Sequence, residues 1–230
     1  MTSAVMPRNK PARRRRPLHP RALEGRYQRL LLSRVRAVAS LTVREINGIL
    51  DILAIDSLGE ERIDNLAAVI AIDRILRVVS SAVASSMSPP VEALTLIGTQ
   101  LDLFAQRQVS KSVSSLLAIS TGDHAELITA WTAENVSLIT SLDARYFADI
   151  ASVVERGFAE GQSTRSIVAE IKTRTGASES RARLIARDQV GSLNAAATQK
   201  RQIDLGIERY IWQTSRDQRV RPEHEERDGV

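Results

Sequence analysis

Apolar side chains recur at steps of three and four along most of this chain, the spacing that a helix with one buried face requires. Over residues 60–87, Val69, Ile72, Leu76, Val79, Val83 and Met87 step by 3, 4, 3, 4 and 4. From Arg21 onward, Leu23, Tyr27, Leu30 and Leu31 open a similar run that continues through Val35, Val38 and Ile46, with Gly59 as its stop. Composition agrees with that pattern. Aromatic residues make up only 3% of the 230, so the core is aliphatic, and 11 Gly with 7 Pro are too few for a turn-dense all-β chain.

Punctuation divides the pattern. Glu60, Glu61 and Asp64 sit in the first turns of the helix over 60–87, where the macrodipole favours acids, and Ser88-Pro89-Pro90 ends it. A third helix runs from about 91 to 119 and stops before Thr121-Gly122. Asp123 in the cap role, with Glu126 three residues on, starts a fourth that reaches about Arg156, where Gly157 and Gly161 break it. Ser163 caps a short helix over 164–174 that ends at Gly176, and Ser178 caps another over 179–204 that ends at Gly206. Beyond Gly206, the stretch Glu208–Thr214 is aromatic, β-branched and alternating, which predicts a strand, followed by a turn at Ser215-Arg216-Asp217. A lone strand is not self-stabilising, so it must pair with Arg219–Arg221, with another chain, or with residues past 230. The expected fold class is mainly α: a long-helix bundle or extended helical stalk with a small C-terminal α+β tip. Its divisions are a disordered basic arm over 1–20, a helical bundle or stalk over 21–160, and a strand-and-turn-bearing region over 161–230. Trp131 and Tyr146 fall on helical faces and are expected in the core.

Charge is unevenly spread. Residues 1–36 hold eleven Lys/Arg against the single acid Glu24, so this segment is strongly positive while the remainder is mildly acidic. Four prolines and the run Arg13-Arg14-Arg15-Arg16 argue for an arm that does not fold alone. Arg8, Lys10, Arg13, Arg14, Arg15, Arg16 and Arg21 are candidates for binding phosphates without sequence preference. The alternatives, a clamp for an acidic protein surface or a solvated tail, rank behind nucleic acid. No aromatic lies between the arginines, which disfavours stacking on bases. The absence of Cys excludes a disulfide scaffold, a thiolate metal site and a Cys nucleophile. The three His, at 19, 124 and 224, are too scattered for a His-rich cage. No apolar run reaches 18 residues without a charge, and no apolar segment follows the N-terminal arginines as a secretory signal would need.

Two polar groupings stand out further on. Arg187, Asn194, Thr198 and Arg201 are spaced 7, 4 and 3 apart and share a helical face. They are either a hydrogen-bond network or the wet side of an amphipathic helix with Leu184, Ile185 and Leu193 inward; periodicity favours the wet side. Asp217, Arg219, Arg221, Glu223, His224, Glu225, Glu226 and Asp228 crowd the C-terminus. A metal site or a general base on His224 is conceivable there, but a single His lacks the second ligand or the orienting partner, which favours Arg–carboxylate pairing that shapes a turn. Gly-rich phosphate loops and the GxSxG, HExxH and dinucleotide signatures are all missing.

Residues 179–230 carry a longer pattern. It comprises Arg181, Ala182, Ile185, Ala186, Arg187, Asp188, Gln189 and Asn194 on the helix. It continues on Gly206, Ile207, Tyr210, Trp212, Thr214, Ser215, Asp217, Arg219, Val220, Arg221, Pro222, His224 and Gly229. In this order the residues resemble the phage head morphogenesis, or minor head protein, family typified by the F protein of bacteriophage Mu, and the stretch from Trp131 to Gly176 resembles its helical region more loosely. The resemblance implies a low-copy structural protein of a tailed-phage head, not an enzyme, with no cofactor, metal or catalytic residue. It implies the portal protein or major capsid protein as partners, packaged DNA as a possible partner of the arm, several copies per particle and no membrane. The implied location is the virion, inside or at the portal vertex of the head, with assembly in the host cytoplasm. It also implies that Arg187, Asn194, Trp212, Thr214, Asp217, Arg219, Arg221 and His224 form one folding network, in which Trp212 packs on the last long helix and Asp217 pairs with Arg219 or Arg221. Family members continue past the His–Gly pair into a further β-rich segment.

Overall fold

A computed structural model describes residues 18–56, 65–112, 124–207, 214 and 220–227. Among these residues five long helices, α1 (Arg21–Asp56), α2 (Asn65–Ser86), α3 (Val91–Ser112), α4 (Ala125–Ala159) and α5 (Thr164–Asp204), precede a single turn, α6 (Pro222–Glu225). There is no strand among the described residues. The strand expected over Glu208–Thr214 lies outside them except for Thr214, as do Gly59, Thr121-Gly122, Asp123 and arm residues Arg8 to Arg16.

The molecule is a helical bundle in two storeys. At 36 and 41 residues, α1 and α5 are about 54 and 61 Å long and run through both. Between them α4 also spans the full height, parallel to α1: Tyr27 bonds Asn135, and Arg34, two turns on, bonds Asp143. The fourth position is shared. Ser88-Pro89-Pro90 interrupts what would otherwise be one long strut, because proline forbids the preceding turn from continuing. As a result α2 covers the lower storey against α1 and α4, and α3 covers the upper storey against α4 and α5.

Each storey has its own aliphatic core. Tyr27, Leu31, Leu94, Ile97, Trp131, Ile139 and Ala186 meet in the upper one. Ile46, Leu76, Val79, Ile150, Val153, Ile167 and Ile171 meet in the lower one. The expected inward stripe of α2 is present: Ile72, Leu76, Val79 and Val83 are buried and Met87 packs at their edge, while the side chain of Val69 lies outside the description. Trp131 and Tyr146 are core residues, as their helical faces predict. Where the storeys meet, Arg34 donates to Asp143 Oδ2 from both Nε (2.9 Å) and Nη2 (2.6 Å), and from Nη1 to the Met87 carbonyl at 2.5 Å. One buried guanidinium thus ties α1, α4 and the end of α2 together.

Two expectations from the sequence need correction. Gly157 does not break α4, which runs on to Ala159. Its missing side chain makes room for Ile167 of α5: a Cβ at 157 would lie 2.6 Å from Ile167 Cγ1. The turn is made instead by Gly161 at φ +67, with Gln162 N donating to Gly157 O at 2.8 Å, before Ser163 caps α5 by accepting from Ser166 N. Nor are there two helices over 164–174 and 179–204. Gly176 is inside the continuous α5, and Ser178 is buried rather than capping. Burial against three other helices outweighs the roughly 1 kcal/mol propensity cost of an interior glycine. The stop at Gly206 is as expected, with φ +71 and Ile207 N donating to Gln202 O.

These positions give opposite predictions. Nothing lies within 4 Å of a Cβ at Gly176, so Gly176→Ala raises stability by about 0.5–1 kcal/mol in thermal or urea unfolding. A loss would mean that the helix breaks there. Gly157→Ala lowers stability, because overpacking against buried Ile167 costs about 1–3 kcal/mol and exceeds the same propensity gain.

Candidate functional site

The helix that carries the pattern residues is also the one most enclosed by its neighbours. Ala182, Ala186, Val190, Leu193 and Ala197 recur every three or four residues and are all buried. Three of the five are alanines, which lets α1, α3 and α4 approach the α5 backbone closely. Leu184, expected to point inward, is 56% exposed, Ile185 is half-buried, and Leu193 is buried as expected. The same step of four leads from Ala197 to Arg201, which is only 4% exposed.

Polar side chains dock this face at three levels. At the middle of the upper storey, the Trp131 indole Nε1 donates to the Gln189 carbonyl at 3.1 Å, and Asn135 Nδ2 donates to Gln189 Oε1 at 3.2 Å. Gln189 Nε2 in turn donates to Glu134 at 3.0 Å, and Tyr27 donates its hydroxyl to Asn135 Oδ1. The rings of Tyr27 and Trp131 meet edge to face at 5.7 Å. Burial pushes the Tyr27 phenol well above its ordinary value, with the Glu134 charge adding to the effect, so it stays a donor. Lower down, Glu179 accepts from Arg36 Nε at 2.8 Å and from Arg183 at 3.1 Å. The Arg36 hydrogen bond is the main reason its carboxyl sits below the usual range.

The third level is a buried ionic cluster at the top of the bundle. Asp102 of α3 accepts from Arg201 Nη2 at 2.5 Å through one oxygen and lies 2.5 Å from His124 Nδ1 through the other. His124 is the residue that precedes α4, and its Nε2 is 3.5 Å from Asp204 Oδ2. Three elements, α3, the start of α4 and the end of α5, are therefore joined through one carboxylate. Among the described residues, Arg201 Nε and Nη1 and His124 Nε2 have no hydrogen-bond partner. His124 and Asp102 were not singled out in the sequence. The signal available for Arg201 was its register with Ala182 and Ala197; Asp102 shows only as a charge beside the apolar stripe Leu94, Ile97, Leu101, Ala105. With its side chain 1% exposed, His124 is positioned to join helices rather than to meet a substrate.

The remaining candidate residues divide between two environments. Arg187 and Asp188 are exposed on α5 and have no hydrogen bond or ion pair among the described residues. Asn194 is half-buried, its carbonyl accepting from Thr198 Oγ1 at 2.7 Å while its buried side-chain Oδ1 has no hydrogen-bond partner among the described residues. Thr198, also on that face, is half-buried. The stripe Arg187, Asn194, Thr198, Arg201 thus runs from solvent into the interior, because Asp102 and His124 close over its upper end. Arg21 is exposed at the start of α1. Its chain entry is pinned to α3, with Leu18 N donating to Gln108 Oε1 at 2.7 Å and Gln108 Nε2 donating back to Leu18 O at 2.9 Å. Thr214 is half-buried, and Arg221 and His224 are exposed at α6. Trp212, Asp217 and Arg219 lie outside the described residues, and so do the pairings expected of them. Among the described residues, no group of three His, Cys, Asp or Glu could hold a metal ion. No described helix is long and apolar enough to cross a membrane.

Comparison with known proteins places this region. Residues 148–230, from the last turns of α4 through α5 and α6, match the family model described as Phage Mu protein F like protein. An uncharacterized protein of Haemophilus influenzae is 40% identical over 104 residues, which is 45% of this chain and 23% of that protein. The chain therefore spans about a quarter of the length of that relative. No solved structure matches.

Proposed function

We propose, from the premise that residues 148–230 are a Phage Mu F-like segment, that this chain is a minor head protein of a tailed bacteriophage. It acts in head morphogenesis at the portal vertex and the capsid interior, contacting the portal protein, the major capsid protein or both. Its role is structural and non-enzymatic, so its place is in the virion, reached by assembly in the host cytoplasm. The observation that carries this reading is the family match itself, centred on α5. The docking of α5 supports it: the helix bearing the pattern is built into the bundle through Gln189, Glu179 and Arg201, which suits a rigid part of a particle.

The run Arg13 to Arg16 favours a second reading, a nucleic-acid-binding packaging or assembly factor that is not retained in the particle. Quantitative mass spectrometry of gradient-purified heads, DNA-filled against emptied, separates the two. The structural reading expects a fixed low copy number in filled heads. Loss from emptied heads adds ejection with the genome, and retention means a fixed connector or wall component. Absence from both particles overturns the structural reading in favour of the transient factor.

A further inference from the structure

The cations of this protein outside the N-terminal arm are not evenly spread over the bundle. Helix α5 carries eight Lys/Arg against four Asp/Glu, whereas α4 carries two against five. Three of the eight on α5 share the face that meets α1, at the seam whose register is fixed by Arg36 on Glu179. Arg183 lies one turn above Glu179 and Arg187 two turns above, and Lys172 lies two turns below; all three are exposed. On α1, Arg29 lies two turns from Arg36 on the same face and is exposed. Because α1 and α5 are antiparallel, seven residues back from Arg36 brings Arg29 level with Arg187.

Among the described residues, five cations thus line one seam, with Glu179 as the acid between them. Glu179 is already engaged by Arg36 and Arg183, so it holds those two guanidinium groups in place and leaves the seam positive. Arg29 and Arg187 have no hydrogen bond or ion pair among the described residues. From Lys172 to Arg187 the row is about 22 Å long at 1.5 Å per residue. The upper end of α1 is also where the chain enters from the arm, at Leu18.

We infer that the α1–α5 seam is a binding track for duplex DNA, engaging its phosphate backbone without reading sequence and continuing onto the folded body the charge of the arm. A row of four guanidinium groups and one ammonium suits a phosphate backbone, which presents about one negative charge per 1.7 Å of duplex axis. No base-reading element is needed, since phosphate contacts alone carry affinity and its salt dependence. The track does not depend on where the protein resides in a particle: absence from purified heads would overturn the proposed function and leave the track standing.

The test uses the full chain and a fluorescent duplex of about 30 base pairs, with anisotropy titrations between roughly 50 and 200 mM salt. Arg29→Gln/Arg187→Gln is the informative variant, because neither residue has a partner to lose among the described residues, and its melting curve should match that of the unaltered chain. The expected result is a salt slope shallower by about 2, about one per cation removed. The same decrement of about 2 should appear when Arg29→Gln/Arg187→Gln is made in a chain whose Arg13, Arg14, Arg15 and Arg16 are already changed to Gln, which separates the seam from the arm. Arg145→Gln, on the exposed face of α4, should leave the slope unchanged. An unaltered slope in Arg29→Gln/Arg187→Gln overturns the inference, and so does a loss of the same size per charge in Arg145→Gln. Binding of polyglutamate in place of duplex DNA would also overturn it, in favour of an acidic protein partner.

Discussion

Replacing Arg201 by alanine is expected to lower the stability of the chain by about 3–5 kcal/mol, because it strands a buried carboxylate whose main cationic partner is gone. Asp102 is accessible only at its edge and divides its two oxygens between Arg201 and His124. Removing the guanidinium leaves the carboxylate with a histidine that is itself placed between two aspartates, Asp102 and Asp204. The loss is read from urea denaturation, as a fall in midpoint with the slope unchanged. Arg187→Ala, about four turns away on the same helix, should change stability by no more than about 0.5 kcal/mol, since Arg187 is exposed and has no partner among the described residues. The double replacement Arg201→Met/Asp102→Leu should recover most of the loss, because a buried ion pair is often no more stable than apolar groups of similar size. An Arg201→Ala loss below about 1 kcal/mol would mean that the cluster opens to water and does not hold α5 to α3 and α4.

The second large effect is at Trp131. Its ring fills the upper core against Tyr27, lies over Gly98 of α3, and is buried. Trp131→Ala is expected to cost about 3–5 kcal/mol from the lost transfer energy and the cavity left behind. Trp131→Phe separates the ring from its donor. It keeps most of the packing and removes only the bond from Nε1 to the Gln189 carbonyl, so the cost should fall to about 1–2 kcal/mol. Equal losses for the two variants would show that the hydrogen bond to α5 outweighs the packing.

The ends of the elements were legible wherever a residue type forces the backbone. Ser88-Pro89-Pro90 marked the change from α2 to α3, Ser163 the cap of α5, and Gly206 its stop, because proline, a capping hydroxyl and a positive-φ glycine act within a few residues. Gly157 and Gly176 misled for the complementary reason. A glycine within a helix is compatible with a break, with close packing or with no role. Only the position of Ile167 shows that Gly157 is a close approach, and only the surrounding helices explain why α5 passes through Gly176 unbroken.

At the site, the pattern residues of α5 were legible as a set but not in their roles. Spacing put Arg187, Asn194, Thr198 and Arg201 on one face, and that face does exist. It could not reveal that Asp102 and His124, about one hundred and about eighty residues earlier, bury its upper end.

By itself, then, the sequence determined that the chain is built of long amphipathic helices and which segment matches the Mu F-like pattern, since both are carried by local periodicity and by residue order. The tertiary structure decided which face of α5 is buried and which charges are enclosed. It also decided which cations share a seam. Those outcomes depend on helices that are distant in the chain and adjacent in space, and a one-dimensional spacing rule carries no term for a neighbour that arrives from elsewhere.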